Sequence, residues 1–246
     1  MPGWLDQPGF PLMVSHRRLA LRKRLPAAQV PWVLDSGGFS ELNLYGEWRT
    51  TGHDYAAAVR RYRDEIGRLV WAAPRDWMCE PFVLAKTGLT VVEHQRRTTD
   101  DYLDLRMTAP DLPFIPVLQG FTVDDYHRHA DAYSRAGIDL ASLPLIGVGS
   151  VCRRQKTGEI ERIFAALTPL KLHGFGLKTE GLRAGAQWMT SADSMAWSYR
   201  GRRVRPGCTP SHSSEANCRR FATEWRANVL QTSQHQQLAF TWKVPA

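Results

Sequence analysis

The stretch PWVLDSGGF, residues 31–39, combines an apolar run with a polar, glycine-rich end. Its first half is a short apolar run, and its second half begins with Asp35 and continues through Ser36, Gly37, Gly38 and Phe39. Near-continuous apolar runs of this length suit strands that are buried on both faces, as in a parallel sheet. The stretch therefore predicts a buried strand whose carboxyl end carries polar residues.

Similar apolar runs recur along the chain on both sides of this stretch. They are PLMV (11–14), LVWAA (69–73), FIPVL (114–118), LPLIGV (143–148), LKLHGF (170–175) and AQWMTSA (186–192). Together with residues 31–34 they predict seven buried strands, and the pattern does not reveal an eighth.

Amphipathic stretches separate these runs. Tyr55, Val59, Tyr62, Ile66 and Leu69 repeat at spacings of four and three, which places them on one helical face. We assign this stripe to core packing and to no chemistry.

Three further stretches carry helical signals. Thr122, with Asp125 three residues on, resembles a capping box, and Gly137 marks the end of that helix. The apolar residues within 160–167 form another stripe, and residues 216–230 indicate a last helix.

The alternation of strands and helices predicts the α/β class. The chain has 246 residues, a length that favours a single (β/α)8 barrel of the TIM type over an open sheet. Since 43% of the residues are hydrophobic, the chain can bury one sizeable core. We therefore predict one compact domain over residues 1–246.

Composition also excludes some settings. No run of about 18 apolar residues appears, and residues 1–14 lack the basic and long apolar segments of a signal peptide. Four unevenly spaced cysteines in a chain of this size are typical of a reducing compartment. We expect a cytoplasmic protein with no membrane partner.

Positive charge is in excess and clustered. Lys and Arg number 32 against 24 Asp and Glu, a net charge of +8. Clustered cations attract polyanions through counterion release, so nucleic acid is the partner that charge favours, and a solvated basic surface is the alternative. The three groups are His16, Arg17, Arg18, Arg22, Lys23 and Arg24; Arg153, Arg154 and Lys156; and Arg200, Arg202, Arg203 and Arg205.

Polar residues and glycines follow the predicted strands. In a (β/α) barrel the chemistry lies at the carboxyl ends of the strands, so these residues are expected to converge on one rim. Glycines there allow backbone N–H groups to approach a flat or anionic ligand closely. The strand ends are Asp35-Ser36-Gly37-Gly38-Phe39, Arg75-Asp76-Trp77-Met78-Cys79-Glu80, Gln119-Gly120, Gly147-Val148-Gly149-Ser150, His173-Gly174-Phe175-Gly176 and Ala192-Asp193-Ser194-Met195.

The same residues resemble the motifs of the tRNA-guanine transglycosylases, in order and spacing, from about residue 31 to residue 200. The matching segments are Asp35 to Phe39, Val117 to Gly120, Ile146 to Ser150, His173 to Gly176, and Ala192 to Ser194, where the family's nucleophilic aspartate falls. The resemblance implies a barrel enzyme that exchanges a base of a nucleic acid.

Two departures narrow the resemblance. The chain is shorter than a typical tRNA enzyme of this family and has no room for an added RNA-binding domain. It also lacks the family's Cys-x-Cys-x-x-Cys zinc signature; Cys208, His212 and Cys218 stand in its place without an evident fourth ligand. Reduced thiols and a surface histidine are the alternative that we favour there, so no cofactor is required.

The short form resembles the deazapurine DNA-modification branch, which is often encoded by phages. That branch replaces guanine in DNA with a 7-deazaguanine derivative such as 7-cyano-7-deazaguanine. The resemblance thus implies DNA as the preferred partner, in the host cytoplasm if a phage encodes the protein. A minimal tRNA-guanine transglycosylase is the alternative.

Base exchange is glycosyl transfer with retention, in which a carboxylate attacks C1′ and is then displaced. We assign the attack to Asp193, for which a helix N-cap is the alternative role. Asp35 and Asp76 are candidates to hold the purine edge and manage its protons. The target nucleotide must leave its stack to reach them, which is base flipping.

The remaining candidates would bind the base and the backbone. Gln119 supplies a donor and an acceptor, and Phe39, with Met195, would sandwich the ring. The other base-binding candidates are Ser36, Gly37, Gly120, Gly147, Val148, Gly149, His173 and Gly174. The phosphate-binding candidates are Arg200, Arg202, Arg203 and Arg205.

Two rival functions stay open at this point. A glycosylase would pass the sugar to water and exchange no base, and nothing in the sequence excludes it. A non-catalytic DNA-binding barrel is disfavoured because Asp193 is retained.

Overall fold

The computed structural model describes residues 2–7, 9–152, 154, 158–209 and 212–232. Arg153 and Lys156, two members of the second basic group, lie outside the described residues. The chain divides into two compact units, Met1–Ser150 and Val151–Ala246. Each unit is a mixed α/β structure with parallel strands.

The strands of the described residues are β1 (Leu12–Ser15), β2 (Trp32–Asp35), β3 (Leu69–Ala72), β4 (Val117–Leu118), β5 (Ile146–Val148), β6 (Leu172–Gly174) and β7 (Ser191–Ala192). The helices are α1 (His16–Leu19), α2 (Gly38–Tyr45), α3 (Gly52–Ile66), α4 (Pro81–Thr87), α5 (Val91–Thr108), α6 (Val123–Arg135), α7 (Glu159–Ala166), α8 (Thr179–Gly185), α9 (Ala196–Gly201) and α10 (Arg219–Thr232). Among the helices described, none combines the length and apolar character needed to cross a bilayer.

In the first unit, each strand lies beside the next one in sequence. β1, β2 and β3 form a parallel sheet in which Ser15 pairs with Asp35. A single parallel bridge links Ala72 of β3 to Phe114, and β4 pairs with β5 in parallel. The carboxyl ends of parallel strands lie at the same edge, so this order gathers the residues that follow them.

The helices of this unit pack as their apolar spacing predicts. Tyr55, Val59, Tyr62 and Ile66 are all buried on α3. The capping box of Thr122 and Asp125 at the start of α6 is formed in both directions. These local predictions are confirmed.

The second unit contains the parallel pair β6 and β7, in which His173 lies opposite Ser191. The predicted stripe on α7 is buried through Ile160, Ile163 and Phe164. Gly174 fits between neighbours, since a Cβ there would lie 2.6 Å from Leu177 Cδ1.

Five of the seven strands in the described residues are shorter than their predicted apolar runs, and β4 and β7 are the shortest, with two residues each. Residues Ala186–Trp188 form a 3-10 helix, so β7 begins only at Ser191. Pro116 lacks an N–H group and cannot donate within the run 114–118, which leaves β4 as two residues after the bridge at Phe114. Within the described part of the chain seven strands are present, so the α/β class is confirmed and closure into an eight-stranded barrel stays a prediction.

Candidate active site

The segment after β2 makes a tight turn into α2. Gly37 has a φ of +83°, the left-handed region that favours glycine. A Cβ on Gly37 would also lie 2.9 Å from Cγ of Arg17, which follows β1. The two glycines at 37 and 38 therefore allow the chain to start a helix directly at the carboxyl edge of the sheet.

Three strand ends meet at Asp76. Its Oδ1 accepts a hydrogen bond from the hydroxyl of Ser36 at 3.0 Å, and its Oδ2 accepts from Nε2 of Gln119 at 2.5 Å. Gly38 allows close approach here, because a Cβ would lie 3.1 Å from the carbonyl oxygen of Asp76. Residues that follow β2, β3 and β4 thus form one buried polar cluster.

Burial raises the pKa of Asp76 to about 7, and the negative charge of Asp35 adds to the rise. Hydrogen bonds from Ser36 and Gln119 favour the charged form and act in the opposite direction. A carboxyl group with such a pKa exists in both forms near neutral pH. It can therefore accept a proton from a purine edge or donate one to it.

Gln119 is fixed by two helices that sequence reasoning did not connect to it. Its N–H group donates to Nδ1 of His129 on α6 at 2.8 Å, and its carbonyl oxygen accepts from Nε2 of Gln95 on α5 at 2.8 Å. The amide lies against Gly149, where a Cβ would come within 2.2 Å of Nε2. The two hydrogen bonds fix the backbone of Gln119, and Gly149 leaves room for its side-chain amide to lie flat.

The glycines at the ends of β4 and β5 serve packing and sheet pairing. The N–H groups of Gly147 and Gly149 donate to the carbonyls of Pro116 and Leu118, and the carbonyl of Gly149 accepts from the Tyr126 hydroxyl. These backbone groups, expected to contact a base, are already hydrogen-bonded within the protein.

Gly120 and Val148 are also packing positions. A Cβ on Gly120 would lie 2.8 Å from Cβ of Asp125, and Val148 is fully buried. Ser36, Asp76 and Gln119 are therefore among the residues whose side chains offer polar atoms at this edge.

Phe39 and Met195, the residues expected to sandwich the base, are more exposed than the buried polar cluster. Phe39 is 38% exposed, and its ring centroid lies 5.9 Å from that of Phe82 on α4. Met195, in the second unit, is 56% exposed. Both side chains are accessible to a ligand.

In the second unit, Asp193 follows β7 and is held by the loop after β6. Its Oδ1 accepts from the N–H group of Gly176 at 2.8 Å and lies 3.5 Å from Nε2 of His173. His173 is oriented by a 2.8 Å contact between its Nδ1 and Oγ of Ser191. A histidine and a backbone amide thus support the carboxylate.

The alternative role of Asp193 as a helix N-cap does not match this geometry. α9 begins at Ala196, whose N–H group donates to Oγ of Ser194 at 3.1 Å. The carboxylate of Asp193 points to Gly176 instead. This residue is therefore a supported carboxylate that does not cap the following helix.

The arginines after Asp193 are exposed at and beyond the end of α9. Within the described residues, Arg200, Arg202, Arg203 and Arg205 form no ion pair with a carboxylate. Arg203 donates to the Tyr199 hydroxyl and lies over its ring. By contrast, Arg60 and Arg63 on α3 both pair with Asp111.

Four potential metal ligands gather beyond these arginines. Ligand atoms of Cys208, His212, Glu215 and Cys218 all lie within 4.8 Å of one another. Glu215 is the fourth ligand that the sequence pattern did not reveal, because carboxylates are common and its spacing matches no zinc motif. It is buried, and its Oε2 has no hydrogen-bond partner.

Local chain geometry builds this cluster. The N–H group of Gly207 donates to the carbonyl of His212, and a Cβ on Gly207 would lie 2.4 Å from Cβ of His212. Gly201 at the end of α9 approaches Glu215 closely, since its Cβ would lie 2.5 Å from the Glu215 carbonyl oxygen. The cluster is thereby attached to the helix that follows Asp193.

The sequence also left Glu80 and Ser150 without a role. Both are buried, and Oγ of Ser150 lies 2.9 Å from Oε2 of Glu80 and 2.6 Å from Oε1 of Gln119. Their position at the ends of two predicted strands was a signal, but their contact depends on the fold.

The chain matches a known protein family over almost its whole length. A family model described as "DpdA: DeoxyPurine in DNA protein A" matches residues 1–243. Among curated proteins, none matches the chain.

Proposed function

The chain belongs to the DpdA family, and from this premise we propose that Asp193 forms a covalent glycosyl intermediate during base exchange. The family is a DNA-guanine transglycosylase family related to the tRNA-guanine transglycosylases. The protein is accordingly a pentosyltransferase-type enzyme that modifies DNA with a deazapurine by guanine transglycosylation.

The contacts of the Asp193 carboxylate with Gly176 and His173 are the main observation in favour of this proposal. In the first step its Oδ2 bonds to C1′ of the deoxyribose while the bond from C1′ to guanine N9 breaks, and guanine takes up a proton. In the second step N9 of the incoming base loses its proton and attacks C1′ from the face that guanine left, the bond from C1′ to Oδ2 of Asp193 breaks, and two inversions together retain the configuration. Oδ1 is held by Gly176 and lies beside His173, so the carboxylate is oriented before the substrate arrives.

We assign recognition of the purine edge to Asp76 and Gln119, with Asp35 and Ser36 beside them. The buried cluster offers acceptors and donors of a kind that a guanine edge pairs with. Phe39 and Met195 are accessible enough to stack on a ring. We retain Gly37, Gly120, Gly147, Val148, Gly149 and Gly174 as glycine and apolar positions that shape the site, with His173 as a support for Asp193.

The incoming base that we propose is a 7-deazaguanine such as 7-cyano-7-deazaguanine, and DNA is preferred over tRNA. The target nucleotide would be flipped out of the duplex, because its C1′ and base edge are otherwise stacked and paired. Arg200, Arg202, Arg203 and Arg205 would hold flanking phosphates. Their lack of internal carboxylate partners within the described residues supports this role.

We further propose that Cys208, His212, Glu215 and Cys218 hold one zinc ion. Two thiolates, an imidazole and a carboxylate are a ligand set that Zn²⁺ accepts in tetrahedral geometry. The buried Oε2 of Glu215 lacks a hydrogen-bond partner, which fits a metal ligand. The ion would cross-link the segment after α9 and take no part in the exchange.

A single closed (β/α)8 barrel over residues 1–246 remains our proposal for the whole chain. Parallel pairing in sequence order within each unit supports it, since a barrel is built in that order. We also propose a cytoplasmic setting, because Cys79, Cys152, Cys208 and Cys218 are not joined in disulfide bonds in the structure.

One experiment tests the central proposal. DNA is incubated with the protein and 7-cyano-7-deazaguanine, and the nucleosides are then identified by mass spectrometry. We expect the deazaguanine deoxynucleoside in DNA and released guanine in equal amounts. Abasic sites without incorporation would indicate a glycosylase, and modification of tRNA in preference to the duplex would overturn the choice of DNA.

A further inference from the structure

A second buried carboxyl, that of Glu80, is linked to Asp76 by a chain of side-chain contacts. Glu80 is 4% exposed, and it is joined to Asp76 through two other buried side chains. Oε2 of Glu80 lies 2.9 Å from Oγ of Ser150, which lies 2.6 Å from Oε1 of Gln119. Nε2 of Gln119 lies 2.5 Å from Oδ2 of Asp76. The proposed mechanism uses Asp76 and Gln119 but assigns nothing to Glu80 or Ser150.

Counting hydrogens shows that this chain of contacts needs one additional proton. Ser150 has a single hydroxyl hydrogen but faces two oxygen acceptors, Glu80 Oε2 and Gln119 Oε1. The N–H group of Cys79 also donates to Oγ at 2.7 Å, so it fills one lone pair of that oxygen. If both carboxyls were ionised, one of the two oxygen–oxygen contacts would lack a hydrogen, which is costly in a buried site.

Two arrangements satisfy every contact, and each contains one proton and one negative charge on the two carboxyls. In the first, protonated Glu80 donates to Ser150, Ser150 donates to Oε1 of Gln119, and Nε2 of Gln119 donates to ionised Asp76. In the second, the Gln119 amide is rotated by 180°. Protonated Asp76 then donates to the amide oxygen, the amide nitrogen donates to Ser150, and Ser150 donates to ionised Glu80.

We propose that Glu80 is a positioning residue that shares one proton with Asp76 through Ser150 and Gln119, so that Asp76 offers the purine an acceptor or a donor. The inference rests on the proposed function, in which Asp76 contacts the purine edge. A leaving purine must gain a proton and an entering purine must lose one, so a carboxyl that alternates between both forms suits each half of the exchange.

Backbone features support this arrangement. Ser150 has a φ of +56°, which is uncommon for a residue other than glycine and is found at functional sites. This conformation places its hydroxyl between the two acceptors. Gly149 leaves room for the amide of Gln119 to lie flat, and a 180° rotation exchanges its nitrogen and oxygen in that same plane.

Near pH 7, the burial and charges around this chain of contacts leave the Asp76 carboxyl close to the midpoint of its titration. Burial and the charge of Asp35 bring the pKa of Asp76 to about 7. Burial raises the pKa of the neighbouring Cys79 thiol, the charges of Glu80 and Asp125 add to the rise, and Arg128 on α6 acts in the opposite direction.

Two buried histidines also face this region. Burial lowers the pKa of His94, which contacts the carbonyl of Met78, and lowers the pKa of His129 to about 3. Both are therefore neutral at pH 7 and bring no charge to the site.

The test is a titration of the Asp76 carboxyl by carbon-13 NMR in the full chain, without substrate. In the wild type we expect the Asp76 midpoint to depend on the chain of contacts that leads through Gln119 and Ser150 to Glu80, a dependence that we call coupling. In Glu80→Gln the new amide donates to Ser150 at every pH and holds the first arrangement, so the Asp76 midpoint should fall by at least about one pH unit. Ser150→Gly removes the hydroxyl that links Gln119 to Glu80, and it should abolish the coupling. Glycine accommodates the positive φ at this position.

Asp125→Asn is the matched control, since it removes a nearby carboxylate outside the chain of contacts and should leave the midpoint in place. An Asp76 midpoint that is unchanged in both Glu80→Gln and Ser150→Gly would overturn the inference. Because the titration needs no DNA or base, it is independent of the exchange assay. Coupling without exchange activity would refute the proposed function alone, and exchange without coupling would refute the shared proton alone.

Discussion

Nε2 of Gln119 donates to Oδ2 of Asp76 across 2.5 Å, although the two residues are 43 positions apart in the chain. The contact joins the ends of β3 and β4 and gives one buried edge both a carboxyl and an amide. It is the relationship on which recognition of the purine depends in the proposed function.

Shortening the side chain of Asp76 or Gln119 should therefore weaken binding of the base more than binding of DNA. We expect Asp76→Ala and Gln119→Ala each to weaken binding of the free deazaguanine at least tenfold, about 1.4 kcal/mol, with little change in DNA affinity. Calorimetry with the base and fluorescence anisotropy with a duplex measure the two affinities. Gln95→Ala removes a buried amide that donates to the backbone carbonyls of Gln119 and Asp125, and it should affect both ligands alike. If Asp76→Ala and Gln119→Ala weakened binding of DNA as much as binding of the base, the two residues would have a structural role instead.

Asp193→Asn should abolish exchange while the fold and DNA affinity persist. The substitution keeps the shape of the side chain and its contact with Gly176 but removes the charge that attacks C1′. Turnover above about a tenth of the wild-type rate, a loss smaller than roughly 1.4 kcal/mol, contradicts the assignment. Ser194→Ala is the control, because it removes the hydroxyl that accepts from the first residue of α9 and leaves the carboxylate intact.

The raised pKa of Asp76 predicts a pH dependence of stability. The folded protein binds this proton more tightly than the unfolded chain does, so the contribution is complete below the unfolded pKa of 3.8 and is lost as pH rises through about 7. Asp76→Asn lacks this loss, so its stability relative to the wild type should increase between pH 5 and pH 8 by up to about 3 kcal/mol, since each of the roughly two pH units from pH 5 to the folded pKa contributes about 1.4 kcal/mol.

Urea unfolding at the two pH values measures this difference. Glu93→Gln is a suitable control, since hydrogen bonds from Arg96 and Arg97 lower the pKa of Glu93 to about 2 and its titration lies below the range. A stability difference between wild type and Asp76→Asn that is the same at both pH values would show that Asp76 titrates elsewhere.

Replacing Arg202 and Arg203 with alanine should flatten the salt dependence of DNA binding. Each phosphate contact contributes roughly −0.9 to the slope of log K against log salt concentration, so the slope should change by about one to two. The same loss is expected for all DNA sequences. Arg60 and Arg63 are half-buried and already paired with Asp111, and their replacement should leave the slope unchanged. Equal slopes for the Arg202 and Arg203 variant and the wild type would count against the phosphate contacts.

Elemental analysis of the purified protein should find one zinc ion per chain, and a strong chelator should lower its melting temperature. Glu215→Ala should reduce zinc affinity, because it removes one of the four ligands. Cys152→Ser changes a thiol outside the cluster and should retain the metal. If the purified protein contained no metal and the chelator left its melting temperature unchanged, Cys208 and Cys218 would be reduced thiols that bind no metal.

Local patterns predicted the parts of this protein that depend on neighbouring residues. Seven apolar runs mark the seven strands of the described residues, and the spacing of Tyr55, Val59, Tyr62 and Ile66 marks the buried face of α3. The polar strand ends also pointed to Asp76 and Gln119. These features follow from periodicity and turn chemistry, which operate over a few residues.

Tertiary structure alone decided how the polar groups are paired. Glu80 and Ser150 are 70 positions apart and meet through Oγ and Oε2, while Glu215 joins two cysteines whose spacing matches no zinc motif. Burial, which no local pattern measures, brings the pKa of Asp76 to about 7. The sequence thus determines which residues end the strands, because that depends on local order. Which hydrogen bonds and charges those residues share depends on packing between distant segments.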